Sequence, residues 1–564
     1  MAGGSADVYD VLVVGSGASG GWAAKRLSEA GLKVAIVDAG RELSLADFRE
    51  HQPVFELPNR DLASDLLRRT RPVQKDCYAC TEWNQDWFAN DIEEPYTTAE
   101  GQPFSWQGRM RVVGGRTVVW GRQSYRFSDL DFKAASHDGY GEDWPLGYAD
   151  LEKYYDLVEE YVGVSGRAEG VYELPDGRFL PPMAFTCAET QLRARAKEKL
   201  GITVTIGRTA NLTAAVNGRA ACHYCGPCER GCVTRSYFNS AFTTVADAVA
   251  TGRCTLVTNA MVWKVTTDAA TGRANGLLYV DRLTREPREI RGKAVVLCAQ
   301  ALESARILLN SRDARHPAGL GNSSGVLGHY LMDHLWVAGG AVGEFPGLGW
   351  RQSPDGPARP NGIYAIRFRN TKNGPKSKDF LRGYGYQGGD RPSLHLAAPG
   401  FGAAYKKAVA EPRASLVLSG FGECLPYFDN RVEVDPSGQV DAFGIPILKI
   451  TMKWGENERA MVKDMAVAGA EILEAAGAKD VEPYAVPDRI PGFGIHELGV
   501  ARMGTDPKKS VLNAFQQSHD VRNLFVMDGA GFPSGACQNP TLTIMALAVR
   551  SSDYLLEQAR RGEL

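Results

Sequence analysis

The sequence predicts an α/β protein with a Rossmann-like domain and a second, sheet-based α+β domain. Its N-terminus places a short apolar strand, a glycine-rich turn and a helix in direct succession. Farther along, residues 431–454 alternate apolar and polar positions between turn residues, which is typical of a sheet. Residues 456–477 then repeat apolar positions with a helical period and end at a glycine. Because 564 residues exceed what one core supports, we expect two or more domains.

The N-terminal unit carries the features of a dinucleotide-binding fold. Gly15 predicts a tight turn after the first strand, Gly17 lets a pyrophosphate approach the backbone, and Gly20 lets the helix pack closely. The N-terminus of that helix offers amide donors and a positive dipole end to phosphates. A second apolar strand ends at Asp38, where a carboxylate can accept bonds from ribose hydroxyls. The complete order of strand, turn, helix, strand and acid favours a dinucleotide site over a merely structural glycine turn.

Composition and charge narrow the class of partner. The net charge is −2, with both signs spread along the chain, so we expect neither nucleic acid nor an anionic membrane as partner. No apolar run approaches the roughly 18 residues that a membrane span needs. The N-terminus lacks a basic region and runs straight into the first strand, so we expect no signal peptide of its own. The protein is then either cytoplasmic or exported on the signal of a partner.

Several further segments resemble one enzyme family. These segments are VVGGRTVVWG at 112–121, DWPLGYADLEKYY at 143–155, LCAQALESARILLNS at 297–311, GHYLMDH at 328–334, HELGVARMG at 496–504 and VRNLFVMDGAGFPSGACQNPTLTIMALA at 521–548. In this order they resemble the glucose-methanol-choline (GMC) oxidoreductases, FAD enzymes that oxidise alcohols. They are spread over nearly the whole chain, so the resemblance implies the fold of that family.

The resemblance implies a discontinuous domain organisation. Residues 1–45, 215–330 and 490–564 would build a Rossmann-like FAD-binding domain. Residues 46–214 would flank the flavin and approach an iron–sulfur site, and residues 335–485 would form the sheet-based substrate-binding domain. The region around 345–400, rich in Gly, Pro and Arg, predicts long loops around the site entrance.

The same resemblance implies the cofactor contacts. Besides Gly15, Gly17, Gly20 and Asp38, the residues expected to bind FAD are Gly114, Gly115, Thr117, Trp120, Val262, Asp528, Gly529 and Thr541. Some relatives tether FAD through a histidine just before the tryptophan of the second glycine motif. Here Val119 occupies that position, so we predict FAD bound without a covalent link.

Oxidation of an alcohol needs a base for the hydroxyl proton, and neutral imidazole suits that role near neutral pH. His496 occupies the position of the family's catalytic histidine; the alternative is a structural histidine in a glycine-rich loop. Asn539 is the expected second catalytic residue, although Asn539 followed by Pro540 is also a good helix start. The helix beginning at Pro540 should direct its positive end toward the flavin. His329 and His334 are predicted to be structural.

Four cysteines crowd into one short segment, at Cys222, Cys225, Cys228 and Cys232. Their spacing is that of a ferredoxin-type iron–sulfur run, without the proline after the last cysteine. A zinc knuckle or, in an exported protein, a disulfide pair are the alternatives. A subset of the family has three cluster cysteines with spacings of six and four residues. Cys222, Cys228 and Cys232 match these spacings, and Cys225 is additional to that pattern. The choice between a 3Fe-4S and a 4Fe-4S cluster therefore stays open, and His223 is a neighbour of the cluster rather than an assigned ligand.

Together these features predict the large subunit of an FAD and iron–sulfur sugar dehydrogenase, similar to the glucoside 3-dehydrogenase group. The expected substrate is a small sugar or glycoside oxidised at C3, and the expected electron acceptor is a cytochrome. Such enzymes work with a small subunit that bears the export signal, so we expect a periplasmic location, with cytoplasmic as the alternative. The rival enzymes are a glucose (C1) or gluconate (C2) dehydrogenase or an oxygen-using sugar oxidase of the same family. The non-enzymatic rival is a flavoprotein electron-transfer module.

Overall fold

The structure is a computed structural model that describes residues 8–348, 359–392, 399–411 and 413–563. Its strands in chain order are β1 (Tyr9–Val14), β2 (Val34–Val37), β3 (Thr97–Thr98), β4 (Val204–Ile206), β5 (Cys254–Val257), β6 (Ala260–Thr267), β7 (Ala274–Asp281), β8 (Pro287–Leu297), β9 (His334–Pro346), β10 (Ile363–Ala365), β11 (Tyr384–Pro392), β12 (Arg413–Glu423), β13 (Arg431–Val434), β14 (Leu448–Thr451), β15 (Lys479–Ala485) and β16 (Leu524–Val526).

The α-helices are α1 (Ala18–Glu29), α2 (Asp65–Thr70), α3 (Asp129–Phe132), α4 (Ala134–Asp138), α5 (Tyr148–Val162), α6 (Cys187–Leu200), α7 (Thr244–Ala250), α8 (Ala301–Asn310), α9 (Gly402–Ala410), α10 (Glu456–Ala475) and α11 (Thr541–Arg560). In the described part of the chain, none of these helices has the length and apolar character that a membrane crossing requires.

A seven-stranded sheet organises the first half of the fold. Its order is β5-β2-β1-β8-β7-β6. β7 pairs with residues 287–291 of β8, and β16 pairs with residues 295–297 of the same strand. The strands β5, β2, β1, β8 and β16 run parallel, whereas β7 and β6 extend the sheet as antiparallel strands. Residues 11–13 and 34–37 are fully buried, as strands of a parallel sheet covered on both faces are. The carboxyl ends of β1 and β2 therefore meet at one edge, where ligands of open α/β sheets bind.

The strands of this sheet all come from residues 9–14, 34–37, 254–297 and 524–526, which lie within the three segments predicted for the FAD-binding domain. The division into domains itself stays a prediction. The helices α1 and α7 pack together beside the sheet, and α11 packs on α1 and α5. These contacts place the N-terminus of α1 and the N-terminus of α11 at the same cavity.

A six-stranded antiparallel sheet faces that cavity from the other side, with the order β15-β9-β12-β11-β10-β4. The helix α10 covers one face, where the hydroxyl of Tyr386 donates to the carbonyl of Met465 at 2.6 Å. Because side chains alternate along a strand, the next residue, Gln387, lies on the opposite face and lines the cavity. The strand β4 comes from the segment predicted to flank the flavin, so two parts of the chain share this sheet.

Two expectations from the sequence are modified. The strands predicted within 431–454 are β13 and β14, but they form a separate three-stranded sheet, in which β14 pairs with both β13 and β3. The predicted long loops around 345–400 contain β11, which pairs with β10 and β12, so the prediction is wrong there. Residues 366–383 form neither helix nor strand, as predicted, and the parts of the prediction at 349–358 and 393–398 lie outside the described residues.

Candidate active site

One cavity of about 1440 Å³ lies between the two large sheets. Both glycine motifs, the loop carrying His496 and the N-terminus of α11 contribute to its wall. A pocket for one drug-sized ligand usually has a volume of roughly 300–1,000 Å³. The cavity therefore has the size for a dinucleotide cofactor together with a small substrate.

The first glycine motif forms a turn that only glycine fits. Gly15 has a φ of +93°, in the left-handed region that side chains disfavour. A Cβ on Gly20 would lie 1.9 Å from the carbonyl oxygen of Gly15, so the helix packs directly on the turn. A Cβ on Gly17 would instead meet no neighbour closer than 4.0 Å and would occupy the cavity wall. The residues thus fit a dinucleotide, whose pyrophosphate needs an open backbone at the N-terminus of α1.

A hydrogen-bonded serine joins the two glycine motifs. The amide and the hydroxyl of Ser16 both donate to Asp38 Oδ2, at 2.8 and 2.6 Å. The Ser16 hydroxyl in turn accepts from the amide of Gly114 at 2.8 Å. Gly114 has a φ of +93°, and a Cβ on Gly115 would lie 3.7 Å from the Cα of Gly17. Of the predicted cofactor residues, Gly15, Gly17, Asp38 and Gly115 therefore line one wall of the cavity. Gly20 and Gly114 are not among its lining residues and support the two turns instead.

The other predicted FAD contacts from the middle of the chain also line the cavity. Thr117 uses its hydroxyl within the protein, donating to the carbonyl of Gly114 at 2.6 Å. Trp120 donates its indole N–H to the carbonyl of Phe238 at 2.9 Å. These two residues, with Val262 on β6, offer packing surface rather than free polar groups. Val119 lines the same wall and has no nucleophilic atom to form a covalent flavin link.

The C-terminal cofactor residues lie at the end of β16 and at the start of α11. Asp528 accepts from the amide of Ala530 at 2.9 Å and from the hydroxyl of Ser304 at 2.5 Å. Burial raises the pKa of Asp528 to about 6. Gly529 and Thr541 line the cavity beside it. The predicted positions of these residues at the cofactor wall agree with the geometry, although their contacts with FAD stay a prediction.

Hydrogen bonds through His334 and the carbonyl of Ala536 hold His496 in one tautomer. Nε2 of His334 lies 3.0 Å from the carbonyl oxygen of Ala536, and this oxygen can only accept, so Nε2 carries the hydrogen. Nδ1 of neutral His334 is therefore an acceptor, and it lies 3.2 Å from Nδ1 of His496. The hydrogen of His496 is consequently on Nδ1, which leaves the lone pair on Nε2.

Burial keeps both imidazoles neutral. It lowers the pKa of His334 to about 4. Burial, first of all, holds the pKa of His496 well below its ordinary value, and the positive charge of Arg116 lowers it further. Since His496 lines the cavity and its Nε2 makes no hydrogen bond within the described part of the chain, the geometry supplies an available base.

Asp333 fixes the backbone of the loop that carries this base. Its carboxylate accepts from the amides of Gly492 and Gly494 at 3.0 and 2.9 Å and from the amide of His496 at 3.0 Å. Burial, and secondarily the charge of Glu497, raises the pKa of Asp333 to about 7. The adjacent residues 333 and 334 thus position the backbone and the ring of His496 respectively.

Asn539 is oriented by a neighbour rather than by the helix. The helix α11 begins at Thr541 with Pro540 as its cap residue, so the prediction of Asn539 as N-cap and Pro540 as first helical residue is wrong. Asn539 Oδ1 instead accepts from Gln387 Nε2 at 2.6 Å. Its NH₂ group has no hydrogen-bond partner within the described residues and lies on the cavity wall. The arrangement gives an amide donor that can hold a substrate oxygen.

The four cysteines lie in a loop that does not contribute to the described wall of the cavity. Cys228 is buried, and Cys222, Cys225 and Cys232 are half-buried free thiols. Two backbone amides point at sulfur: that of Tyr224 donates to Cys222 Sγ at 3.4 Å and that of Ser236 to Cys232 Sγ at 3.2 Å. Such N–H···S bonds surround thiolates that hold iron–sulfur clusters and tune their potential. Thiolates with such amide donors are the type of ligand that an iron–sulfur cluster takes, and a cluster at this loop stays a prediction.

The cysteine pair at 77 and 80, whose role the sequence leaves open, is buried as two free thiols, and Cys77 lines the cavity.

The fold and the site indicate a class of protein, and comparison with known proteins identifies the family. A Rossmann-type sheet with two glycine turns facing a cavity that contains a base is typical of a dinucleotide-dependent oxidoreductase. Residues 9–336 and 426–548 match the N-terminal and C-terminal domains of the GMC oxidoreductases. The chain therefore belongs to the GMC oxidoreductase family, which confirms the predicted family and makes it an FAD enzyme acting on CH–OH groups.

Individual relatives span almost the entire chain. It is 30% identical to a 2-methyl-1,2-propanediol dehydrogenase of Mycolicibacterium austroafricanum over 98% of this chain and 96% of that protein. It is 26% identical to the fructose dehydrogenase large subunit of Gluconobacter japonicus, with 98% of each chain covered. The crystal structure of pyridoxine 4-oxidase from Mesorbium loti covers 97% of this chain and 99% of its own, with a TM-score of 0.61 and 17% identity. This last likeness confirms the predicted fold class.

Sequence reasoning missed the residues that position His496 and Asn539. Asp333 and His334 belong to the GHYLMDH motif and contact His496. An acid next to a histidine within a family motif could have indicated their role. The prediction of His334 as structural is incomplete, because its ring sets the tautomer of the base. Gln387 had no such signal, since it lies in the region predicted to form loops.

Proposed function

We propose that this protein oxidises a ring hydroxyl of a sugar or glycoside, with C3 of pyranosides as the preferred position. The observation that carries the proposal is the free Nε2 lone pair of His496 in a cavity it shares with the amide of Asn539 and both glycine motifs. A base and an oxygen-binding donor beside a cofactor wall are what alcohol oxidation requires. Bound FAD supplies the acceptor for the hydride that leaves the carbinol carbon.

The residues of the chain divide the remaining work. Nε2 of His496 takes the hydroxyl proton, and the ordered pair of His334 and the Ala536 carbonyl keeps the other nitrogen protonated. The NH₂ group of Asn539 holds the substrate oxygen, in an orientation that Gln387 fixes. The first amides of α11, from Thr541 onward, present the positive end of a 20-residue helix to the cavity and favour negative charge there.

The cavity wall on the side of the antiparallel sheet is polar, which supports a polyol as substrate. Nδ2 of Asn361 and Oδ2 of Asp390 are buried polar atoms without a hydrogen-bond partner among the described residues, and both residues line the cavity. Such atoms cost free energy unless a ligand satisfies them. Sugar hydroxyls both donate and accept, so they can satisfy the amide and the carboxylate together. The choice of C3 over C1 or C2 rests on the resemblance of the combined motifs to the glucoside 3-dehydrogenase group.

We further propose that the cysteine loop holds an iron–sulfur cluster that relays electrons to a cytochrome. Cys222, Cys228 and Cys232 supply three thiolates, and a four-iron cluster would need Cys225 as well. The fructose dehydrogenase relative is named as a large subunit, which supports a partner subunit for this chain too. A small subunit with an export signal would place the enzyme in the periplasm.

Anaerobic incubation with a panel of sugars tests the proposed reaction. The FAD-loaded protein should lose its flavin absorbance with a subset of sugars, and the isolated product should carry a new carbonyl at a ring carbon. The His496→Ala variant, loaded with FAD, is the matched control and should stay oxidised on the same time scale. Oxidised flavin with every sugar, but bleaching with simple diols, would reject the sugar and leave the alcohol chemistry intact.

A further inference from the structure

A second group of metal-binding side chains lies at the edge of the cysteine loop. One ligand atom each from His51, His223 and Cys225 lies within 4.8 Å of the others. The two imidazole rings have their centroids 5.0 Å apart and are tilted by 32°. Both histidines are exposed and Cys225 is half-buried, so a dissolved ion can reach the three atoms from solvent. Cys222, Cys228 and Cys232 are not part of this group.

The two segments that carry these ligands are fixed to each other by other contacts. The amide of Arg49 donates to the carbonyl of Arg230 at 3.0 Å, and Arg230 pairs with Asp61 at 3.2 Å. A Cβ on Gly231 would lie 2.2 Å from the ring of Phe48, so the loop packs closely on the segment before His51. Backbone packing thus holds the two segments together, which keeps the three side chains near one another without a metal ion.

A buried carboxylate beside the group adds negative charge. The side chain of Glu50 is only 1% exposed, and its Oε1 lies 3.9 Å from Nε2 of His51. Oε1 accepts from the amide of Val233, whereas Oε2 is buried without any hydrogen-bond partner in the described part of the chain. A buried carboxylate needs a cation or a donor to offset its desolvation. A metal ion held by the neighbouring ligands would supply that positive charge.

We propose that His51, His223 and Cys225 bind one divalent metal ion of the zinc type, at a site separate from the iron–sulfur cluster. Two imidazoles and a thiolate are ligands that zinc prefers, and a water or Glu50 would complete a tetrahedron. With metal bonds of about 2.0–2.3 Å, tetrahedral ligand atoms lie about 3.5 Å apart. The three ligand atoms now lie within 4.8 Å of one another, and rotation of the two exposed histidine side chains brings them to that shorter distance. Binding releases the thiol proton of Cys225 to solvent and changes no oxidation state.

This assignment gives Cys225 a role that the three-cysteine spacing leaves open. It makes the metal a cross-link between residue 51 and the loop at 223–225, next to the cluster but outside its ligand set. The inference does not depend on sugar oxidation, since none of the three ligands lines the catalytic cavity in the described part of the chain.

Titration of the purified full-length protein with Co²⁺ tests the site, because cobalt replaces zinc and reports a thiolate ligand by a charge-transfer band. Wild type, stripped of adventitious metal, should bind one Co²⁺ per chain with that band. The variants His51→Ala and His223→Ala should weaken binding by about tenfold or more, since loss of even an outer-shell partner costs about 10- to 100-fold. Cys225→Ser should remove the charge-transfer band. His137→Ala, at a half-buried histidine in α4, is the control and should bind as wild type does.

Iron and sugar-dependent flavin reduction are measured on the same samples. Retention of both in the three ligand variants, together with loss of cobalt binding, supports the proposal. No cobalt binding by wild type, or equal binding by His51→Ala and His223→Ala, would overturn it. Loss of iron and acid-labile sulfide in Cys225→Ser would assign this cysteine to the cluster and would also overturn it. Failure of flavin reduction in wild type would count against the proposed reaction alone.

Discussion

Replacement of His334 separates the orientation of the base from the base itself. Nδ1 of His334 accepts the hydrogen of His496 at 3.2 Å, while its Nε2 donates to Ala536 at 3.0 Å. Leucine at position 334 removes the acceptor and leaves the Nδ1–H of His496 without a partner. Asparagine keeps an acceptor oxygen close to the place of the lost Nδ1. We therefore expect His334→Leu to slow flavin reduction by substrate and His334→Asn to recover most of the loss.

The size of the effect follows from the unsatisfied donor. Leaving a buried donor without a partner costs about 1–3 kcal/mol. At 1.36 kcal/mol per factor of ten, the rate constant of flavin reduction should fall by about 5- to 150-fold. Most of that range lies below the roughly 10²–10⁴-fold contribution of a complete general base. The dissociation constant of the sugar should change little, because the described cavity wall does not include His334.

The assay is anaerobic stopped-flow measurement of flavin bleaching over a range of pH. His496 must be neutral to act, so the rate falls as pH drops through its pKa, which lies well below 6.5 in wild type. His334 is itself neutral above its pKa of about 4, so its loss should lower the rate over the whole pH range above that value. His334→Asn should restore the rate, a rescue that mere loosening of the loop would not produce. An unchanged rate in His334→Leu, or a loss that His334→Asn does not recover, would refute the orienting role.

The remaining predictions concern the base, the flavin, the cluster and stability. His496→Ala should bind FAD but reduce it roughly 10²–10⁴-fold more slowly by anaerobic stopped flow; a rate within a few-fold of wild type would move the base elsewhere. Acid precipitation should release all the flavin, because Val119 offers no atom for a tether, and a yellow pellet would contradict this. Cys228→Ser should lose iron and cytochrome turnover but keep flavin reduction by sugar, since a hydroxyl replaces a soft thiolate poorly; intact cytochrome reduction without iron would make the loop structural. Burial holds the pKa of His334 at about 4, below its ordinary 6.5. As the pH falls, this histidine is therefore protonated first in the unfolded chain, so the free energy of unfolding should rise with pH between 4 and 6.5. Urea midpoints measured over that range should show a shallower rise in His334→Asn, and equal slopes would contradict the assignment.

The parts of the fold with local signals could be predicted from the sequence. The turn at Gly15, the strand before it and the helix after it depend on neighbouring residues, and each is present. The helix α10 follows its apolar period and ends before Gly477, whose φ is +90°. Local sequence was sufficient because backbone conformation and burial period decide these elements.

The parts that depend on distant contacts could not be predicted. β11 has the composition of a loop, yet it is a strand because β10 and β12 pair with its two edges. Its glycines allow this close approach, since a Cβ on Gly388 would lie 2.0 Å from the carbonyl of Val417. Asn539 has the sequence context of a helix cap, but its hydrogen bond to Gln387, 152 residues away, replaces that role. The link between His334 and His496 likewise spans 162 residues.

The central claim is that a base in this cavity removes the hydroxyl proton of a sugar while hydride leaves its C3. The most direct test is anaerobic flavin bleaching by methyl glucoside carrying deuterium at C3, compared with deuterium at C2. A blocked anomeric carbon excludes oxidation at C1, so bleaching itself reports attack on another hydroxyl. We predict that bleaching occurs and that only deuterium at C3 slows it. Absence of bleaching with the methyl glucoside, alongside lactone formation from free glucose, would contradict the account.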